Sequence, residues 1–109
     1  MIKPKKNLKE ILKDLNASQT KPKEISELPK ITFSLLDDEI NIDLEKNVLF
    51  QDVAFQLDFW GKTSVETSEL LETTTLLLLE NDYIRTMCKD LEDPSGFYRY
   101  VTRFEKKEE

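Results

Sequence analysis

Val48-Leu49-Phe50-Gln51-Asp52-Val53-Ala54-Phe55-Gln56-Leu57-Asp58-Phe59-Trp60 is the stretch whose reading decides the fold. From Val53 onward it alternates. Val53, Phe55, Leu57 and Phe59 fall on one side, and Ala54, Gln56, Asp58 and Trp60 on the other. A period of two carried by β-branched and aromatic residues is the pattern of a half-buried strand. Before it, Val48-Leu49-Phe50 is continuously apolar, and Gln51-Asp52 is polar on both faces. The whole stretch would span about 44 Å at ~3.4 Å per residue, long for a strand in a small domain. A bend or β-bulge is therefore expected near Gln51-Asp52.

Downstream, Gly61-Lys62 forms the exit and Thr63-Ser64-Val65-Glu66 has the capping-box pattern. It predicts a helix running to Glu80. At 100° per residue, Thr67, Leu70, Leu71, Thr74, Leu77 and Leu78 share the core face. Glu66, Glu69, Glu72 and Glu80 lie on the other side, together with Val65, Leu76 and Leu79. That second apolar group is misplaced for a helix packed on one side only. Either the C-terminal hairpin covers it or another subunit does. Asn81 can end the helix, and Tyr83–Lys89 follows as a strand in which Cys88 reads as a small buried residue. Asp93-Pro94-Ser95-Gly96 has the preferences of a type I turn. Phe97–Phe104 is the return strand, and Glu105 to Glu109 a charged, frayed tail.

Upstream, residues 37–47 are acidic: Asp37, Asp38, Glu39, Asp43 and Glu45. Their alternation resembles the oxygen ligands of a calcium loop. The test fails, because Ile42 stands where the sharp turn needs glycine and Val48 where the bidentate Glu belongs. A solvated acidic loop, with room for a short strand at Ile40–Leu44, is the better reading. Before it, Lys30–Leu36 is a first strand with Ile31, Phe33 and Leu35 on one face. Asn16–Glu24 has no large apolar residue and reads as a linker. Residues 7–15 read as a short helix, capped by Asn7 with Glu10 in the box position, and striped by Leu8, Ile11, Leu12 and Leu15. Nine residues make only about 14 Å of helix, so the stripe must dock on its own domain or on a neighbour.

The order α-β-β-α-β-β defines an α+β domain, with about four largely antiparallel strands and the long helix packed on one face. Residues 1–29 form a lysine-rich N-terminal arm with the short helix and linker, and 30–109 the α+β domain. At 109 residues the chain can bury one modest core. It is 39% apolar and 35% charged, with net charge −6, so a soluble globular protein is expected. No apolar run approaches the ~20 residues of a membrane helix. Met-Ile-Lys-Pro-Lys-Lys leads into charged sequence rather than a signal core. One cysteine cannot make an internal disulfide, which fits synthesis in a cytosol. Residues 1–30 carry eight lysines against four acids, whereas the remaining 79 carry eight bases against eighteen acids. An acidic body repels phosphate backbones, which argues against specific nucleic-acid binding.

There is no histidine, so triads and His-metal sites are excluded within this chain. Two distant glycines, Gly61 and Gly96, cannot build a P-loop or a dinucleotide fingerprint. Nothing in the spacing selects one carboxylate pair for acid–base work. The composition argues against an enzyme, and no cofactor is expected.

From Lys30 to Phe104 the chain resembles the tail-completion, or tail-terminator, proteins of long-tailed bacteriophages, small head–tail joining proteins also described as minor tail proteins. The resemblance rests on Pro29–Leu35, on the acidic loop, and on Gln56-Leu57-Asp58-Phe59-Trp60. It continues through the Thr-Ser start of the Glu/Leu helix, Asp90-Leu91-Glu92-Asp93, Phe97-Tyr98 and the Arg103-Phe104 close. It covers about two thirds of the chain and keeps element order. The lysine-rich first thirty residues depart from the family pattern. The resemblance implies a non-enzymatic virion assembly protein, made in the host bacterial cytoplasm and resident at the head–tail interface. It implies a ring, a hexamer, that caps the tail tube and offers a surface to the head connector. Its partners would be copies of itself, the tail tube protein and the connector, with no membrane. The family has interfaces rather than an active site. Position alone nominates Val65, Leu76 and Leu79 on the helix, Arg99 and Arg103 on one strand face, and Trp60 at a strand end. For each, cover or ion pairing within the chain is the competing reading. The alternative function is a small acidic monomeric inhibitor or adaptor that mimics nucleic acid and binds a basic protein. A carboxylate-dependent enzyme ranks last.

Overall fold

The computed structural model describes residues 3–108. Its central strand, β3 (Val48–Gly61), is the decisive stretch extended by one residue. It pairs antiparallel with β2 (Lys30–Ile42) on one side and β5 (Tyr98–Glu108) on the other. The edges are β4 (Ile84–Glu92), antiparallel to β5, and β1 (Ala17–Ser18), parallel to β2. The sheet order is β1-β2-β3-β5-β4. Helix α1 (Pro4–Ile11) and helix α2 (Ser64–Glu80) complete an α+β fold, with a single 3₁₀ turn at Ile25–Glu27.

Period two places alternate residues on opposite faces, but the strand is not half-buried: Ala54, Asp58 and Trp60 on the other face are buried as well. Val53, Phe55, Leu57 and Phe59 are buried in one core with Ile31, Phe33 and Phe104, roofed by Leu71 and Leu78 of α2. Thr67, Leu71, Thr74 and Leu78 are the buried residues of α2. The helix starts where the capping pattern places it: the Thr63 hydroxyl accepts from the Glu66 amide at 3.1 Å. The Glu66 carboxylate reaches back one residue further than the usual box, to the Lys62 amide at 2.8 Å.

Several expectations need correction. The sheet has five strands and is mixed, not four and antiparallel. The fifth strand, Ala17–Ser18, lies inside the segment read as a linker. Asn16 holds it there: its side-chain amide donates to the carbonyls of Glu27 and Pro29, and its own carbonyl accepts from the Ile31 amide at 2.8 Å. Two residues are too few to show a period.

The first strand does not stop at Asp37. It runs to Ile42, because acids end an apolar alternation without interrupting a ladder whose sides face water. The expected irregularity is displaced too. One register shift falls between Leu35 and Asp37 on β2, opposite Phe55 and Ala54, and a second between Asn41 and Ile42. Gln51 itself stays in register and buried, donating to Asp38 at 2.7 Å.

Helix α1 begins at Pro4, not Asn7, since proline is pre-set for the first helical turn. The Asn7 side chain instead accepts from the Tyr83 hydroxyl at 3.1 Å. Leu8 and Leu12 are fully buried in the shared core, so the stripe docks on its own chain. Cys88 is exposed, because the strand that carries it is a sheet edge. The expected C-terminal tail is strand β5 as far as Glu108, and Glu109 lies outside the described residues.

Candidate interaction surfaces

The outer side of α2 is uncovered. Val65, Leu76 and Leu79 are 65%, 56% and 50% exposed, so the C-terminal hairpin does not roof them. They fall within about 60° of one another around the helix axis at ~100° per residue. Glu72 lies in the same sector. Toward β4, Arg85 donates to the Thr75 hydroxyl at 3.3 Å and anchors the helix flank.

A larger apolar surface lies on the distal half of the β2–β3 hairpin. β5 accompanies β3 only as far as Gln51, and β1 touches β2 only at Ile31 and Thr32. Beyond those points the hairpin is a two-stranded arm. Ile42, Val48 and Leu49 are exposed on it, Leu44 at its tip is wholly so, and exposed Ile40 stands at its root opposite Gln51. Ile42 stands opposite Val48, two residues on from Ile40, so these three share one face. The tip is shaped by Asp43, whose carboxylate accepts from the Glu45 and Asn47 amides at 2.9 Å each. Those bonds, the Asn47 amide first, hold its carboxyl below the ordinary value. The arm's exposed residues are absent from the sequence-based interface set. The unbroken Val48-Leu49-Phe50 run was the available signal, since a strand face that stays apolar where its neighbours end has nothing in the chain to cover it.

The sheet face away from α2 carries a polar cluster that gathers two of the nominated residues. Trp60, buried to 1% exposure, donates from its indole nitrogen to the Thr32 hydroxyl at 3.0 Å. The Arg99 guanidinium lies 4.8 Å from the centre of its ring, and the Lys21 ammonium 5.2 Å. Arg99 also bonds Asp58 at 2.6 Å and approaches Asp93 at 3.5 Å, while Lys21 pairs with Asp93 at 3.1 Å. Gln56 completes the Asp58 shell at 3.1 Å. The Ser95 hydroxyl, then its amide and Lys21, hold the Asp93 carboxyl below its ordinary value against the opposing effect of burial. The cluster therefore clasps the 93–97 turn and the 19–29 segment onto the sheet. Arg99 and Trp60 are engaged within their own chain. Arg103 is half-exposed, paired with Glu105 at 3.0 Å two residues away, and does not join them.

Chemistry is sparse. Among the described residues no group of three His, Cys, Asp or Glu side chains is placed to hold a metal ion. A 380 Å³ hollow on the polar face is lined by Asp37, Glu39, Asp52 and Glu105, with Lys106 and Lys107 at its rim. The arrangement can dock protein surfaces by apolar burial and charge. No helix among the described residues is long and apolar enough to cross a membrane. Comparison of the chain with protein-family models and with curated proteins returns no match.

Proposed function

We propose that this chain is a non-enzymatic virion assembly protein of a long-tailed bacteriophage. In this reading it closes as a ring, sixfold by the family resemblance, on the finished end of the tail tube. There it ends tube growth and gives the head connector its docking surface. Its partners are further copies of itself, the tube protein and the connector. It is made in the bacterial cytoplasm and resides at the head–tail joint, taking no cofactor, no specific nucleic acid and no membrane.

The observation that carries the reading is the hairpin arm. An isolated two-stranded ribbon is marginal in water, and this one exposes four large aliphatic side chains, Ile42, Leu44, Val48 and Leu49, with Ile40 at its root. Such a surface needs a partner. The uncovered stripe on α2 is a second, different patch on the same chain. Two unlike patches suit two different neighbours, and a head-to-tail contact between copies closes into a ring when the rotation permits. The acidic residues along the arm suit a ring whose opening must not hold passing DNA.

The test adds the protein to purified tail tubes and inspects tube ends by electron microscopy. Capped ends carrying one ring each are expected, with tube length then fixed against added tube protein. Tubes that keep growing with bare ends would sink the reading. In the hollow at Asp37, Glu39, Asp52 and Glu105 the four carboxylates outnumber the two lysines, Lys106 and Lys107, which favours one second reading, an acidic adaptor for a basic protein. That reading requires binding in competition with DNA that fades as salt rises.

A further inference from the structure

The arm and the N-terminal helix carry opposite charges at opposite ends of one strand. Residues 36–53 contain six acids and one lysine, while residues 3–15 contain five lysines and two acids. Lys5, Lys6, Lys9 and Lys13 are exposed, as are Asp37 and Glu39 leading into the arm and Glu45 at its tip. Strand β2 holds the two surfaces apart. α1 packs beside its start, where β1 pairs with Ile31, and the arm's apolar face begins about nine residues further on, at Ile40. At ~3.3 Å per residue that is about 30 Å of extended backbone. The two surfaces cannot meet within one molecule.

The basic end also offers a receptor shape. A 380 Å³ depression lies between α1 and the short edge strand β1, lined by Lys9, Leu12, Lys13, Leu15 and Ala17 among others. It has an apolar floor and a basic rim. The arm tip is its complement: Leu44 and Ile42 are exposed, with Glu45 beside Leu44 and Glu39 where the arm begins. The α2 stripe is a poorer receptor, because Glu66, Glu69, Glu72 and Glu80 share its helix and repel an acidic arm.

We infer that the arm of one copy seats in the α1–β1 depression of the next, apolar tip on apolar floor and acids against lysines. The occupant is a second copy of this chain. The inference rests on the ring reading above and specifies which surfaces make the ring's repeated contact.

Charge exchange tests it on the full-length protein. One variant carries Asp37→Lys, Glu39→Lys and Glu45→Lys, and the other Lys5→Glu, Lys9→Glu and Lys13→Glu. All six positions are exposed, so circular dichroism should match the wild type. Each variant alone should associate at least about tenfold more weakly than wild type by sedimentation, because like charges then face each other. Mixed in equal amounts, they should regain association, since the basic arm of one meets the acidic α1 of the other. In a Cys88→Ser background, Leu44→Cys with Lys13→Cys should give an oxidised ladder of covalent multimers. If the wild type assembles and both variants assemble equally well without a ladder, this contact is wrong while the ring stands. If the wild type assembles neither in solution nor on tail tubes, the ring reading fails and takes this contact with it.

Discussion

A β-carbon at Gly61 would meet the Thr67 side chain and lie 3.1 Å from the Thr67 backbone nitrogen, so the strand-to-helix corner closes only around glycine. Gly61→Ala should cost about 1–3 kcal/mol, seen as a lower urea midpoint at unchanged slope. Thr74 behaves in the opposite sense. Its hydroxyl, on the buried side of α2, has no hydrogen-bond partner among the described residues, so it loses hydration without compensation. Thr74→Val keeps the shape and should raise stability by about 1 kcal/mol in the same assay. Asp93 sets a pH dependence. Its folded carboxyl titrates below the ordinary 3.8, chiefly through the Ser95 hydroxyl bond. The stabilisation is thus present above that value and lost as pH falls through the lower folded one. Asp93→Asn should flatten the loss of stability below pH about 4 and should also loosen the 93–97 clasp at neutral pH. Trp60, under Arg99 and Lys21, reports that clasp by its fluorescence.

The two helices differ in what their apolar residues do. Leu8 of α1 and Leu12, which caps its C-terminus, reach the same core as Phe55 and Phe104, and Tyr83 locks the helix through Asn7. Leu8→Ala should therefore destabilise the whole domain by about 2–4 kcal/mol, with sheet and helix signals lost in one transition. Leu76 and Leu79 of α2 face outward. Leu76→Asp with Leu79→Asp should leave circular dichroism, the urea midpoint (within about 0.5 kcal/mol of wild type) and association between copies unchanged while abolishing capping of tube ends. Loss of folded signal would place these leucines in the core after all. Strand β4 is the exposed edge, and its Arg85, Lys89, Asp90 and Glu92 blunt it against indiscriminate pairing.

The whole molecule is drawn out, with extents of 52 × 24 × 23 Å. The hairpin arm prolongs the sheet beyond its helices, and that elongation is where fold and proposed role separate. Replacing residues 40–51 with Asn-Gly closes the hairpin just past the Glu39–Asp52 pair with a turn suited to it. The shortened chain should keep its cooperative unfolding and sediment as a more nearly spherical monomer. It should no longer associate or cap tube ends. A shortened chain that still caps would move the contact surface to α2 or β4.

Local periodicity settled much of this molecule before any contact was known. The alternation from Val53 to Trp60 picked the side of β3 that α2 roofs, Thr63 and Glu66 marked the start of α2, and Asp93–Gly96 marked a turn, with the Gly96 amide donating to the Asp93 carbonyl at 2.9 Å. Each of those depends on neighbours within a few residues, so the chain writes them in its own order. Tertiary structure alone decided that Ala17–Ser18 pairs with Ile31, that β2 continues through its acids, and that Cys88 lies on an edge. It also decided that Leu8 is core while Leu76 and Leu44 are surface. An apolar residue carries the same free energy of burial wherever it stands. Whether it is buried depends on which distant segment comes to cover it.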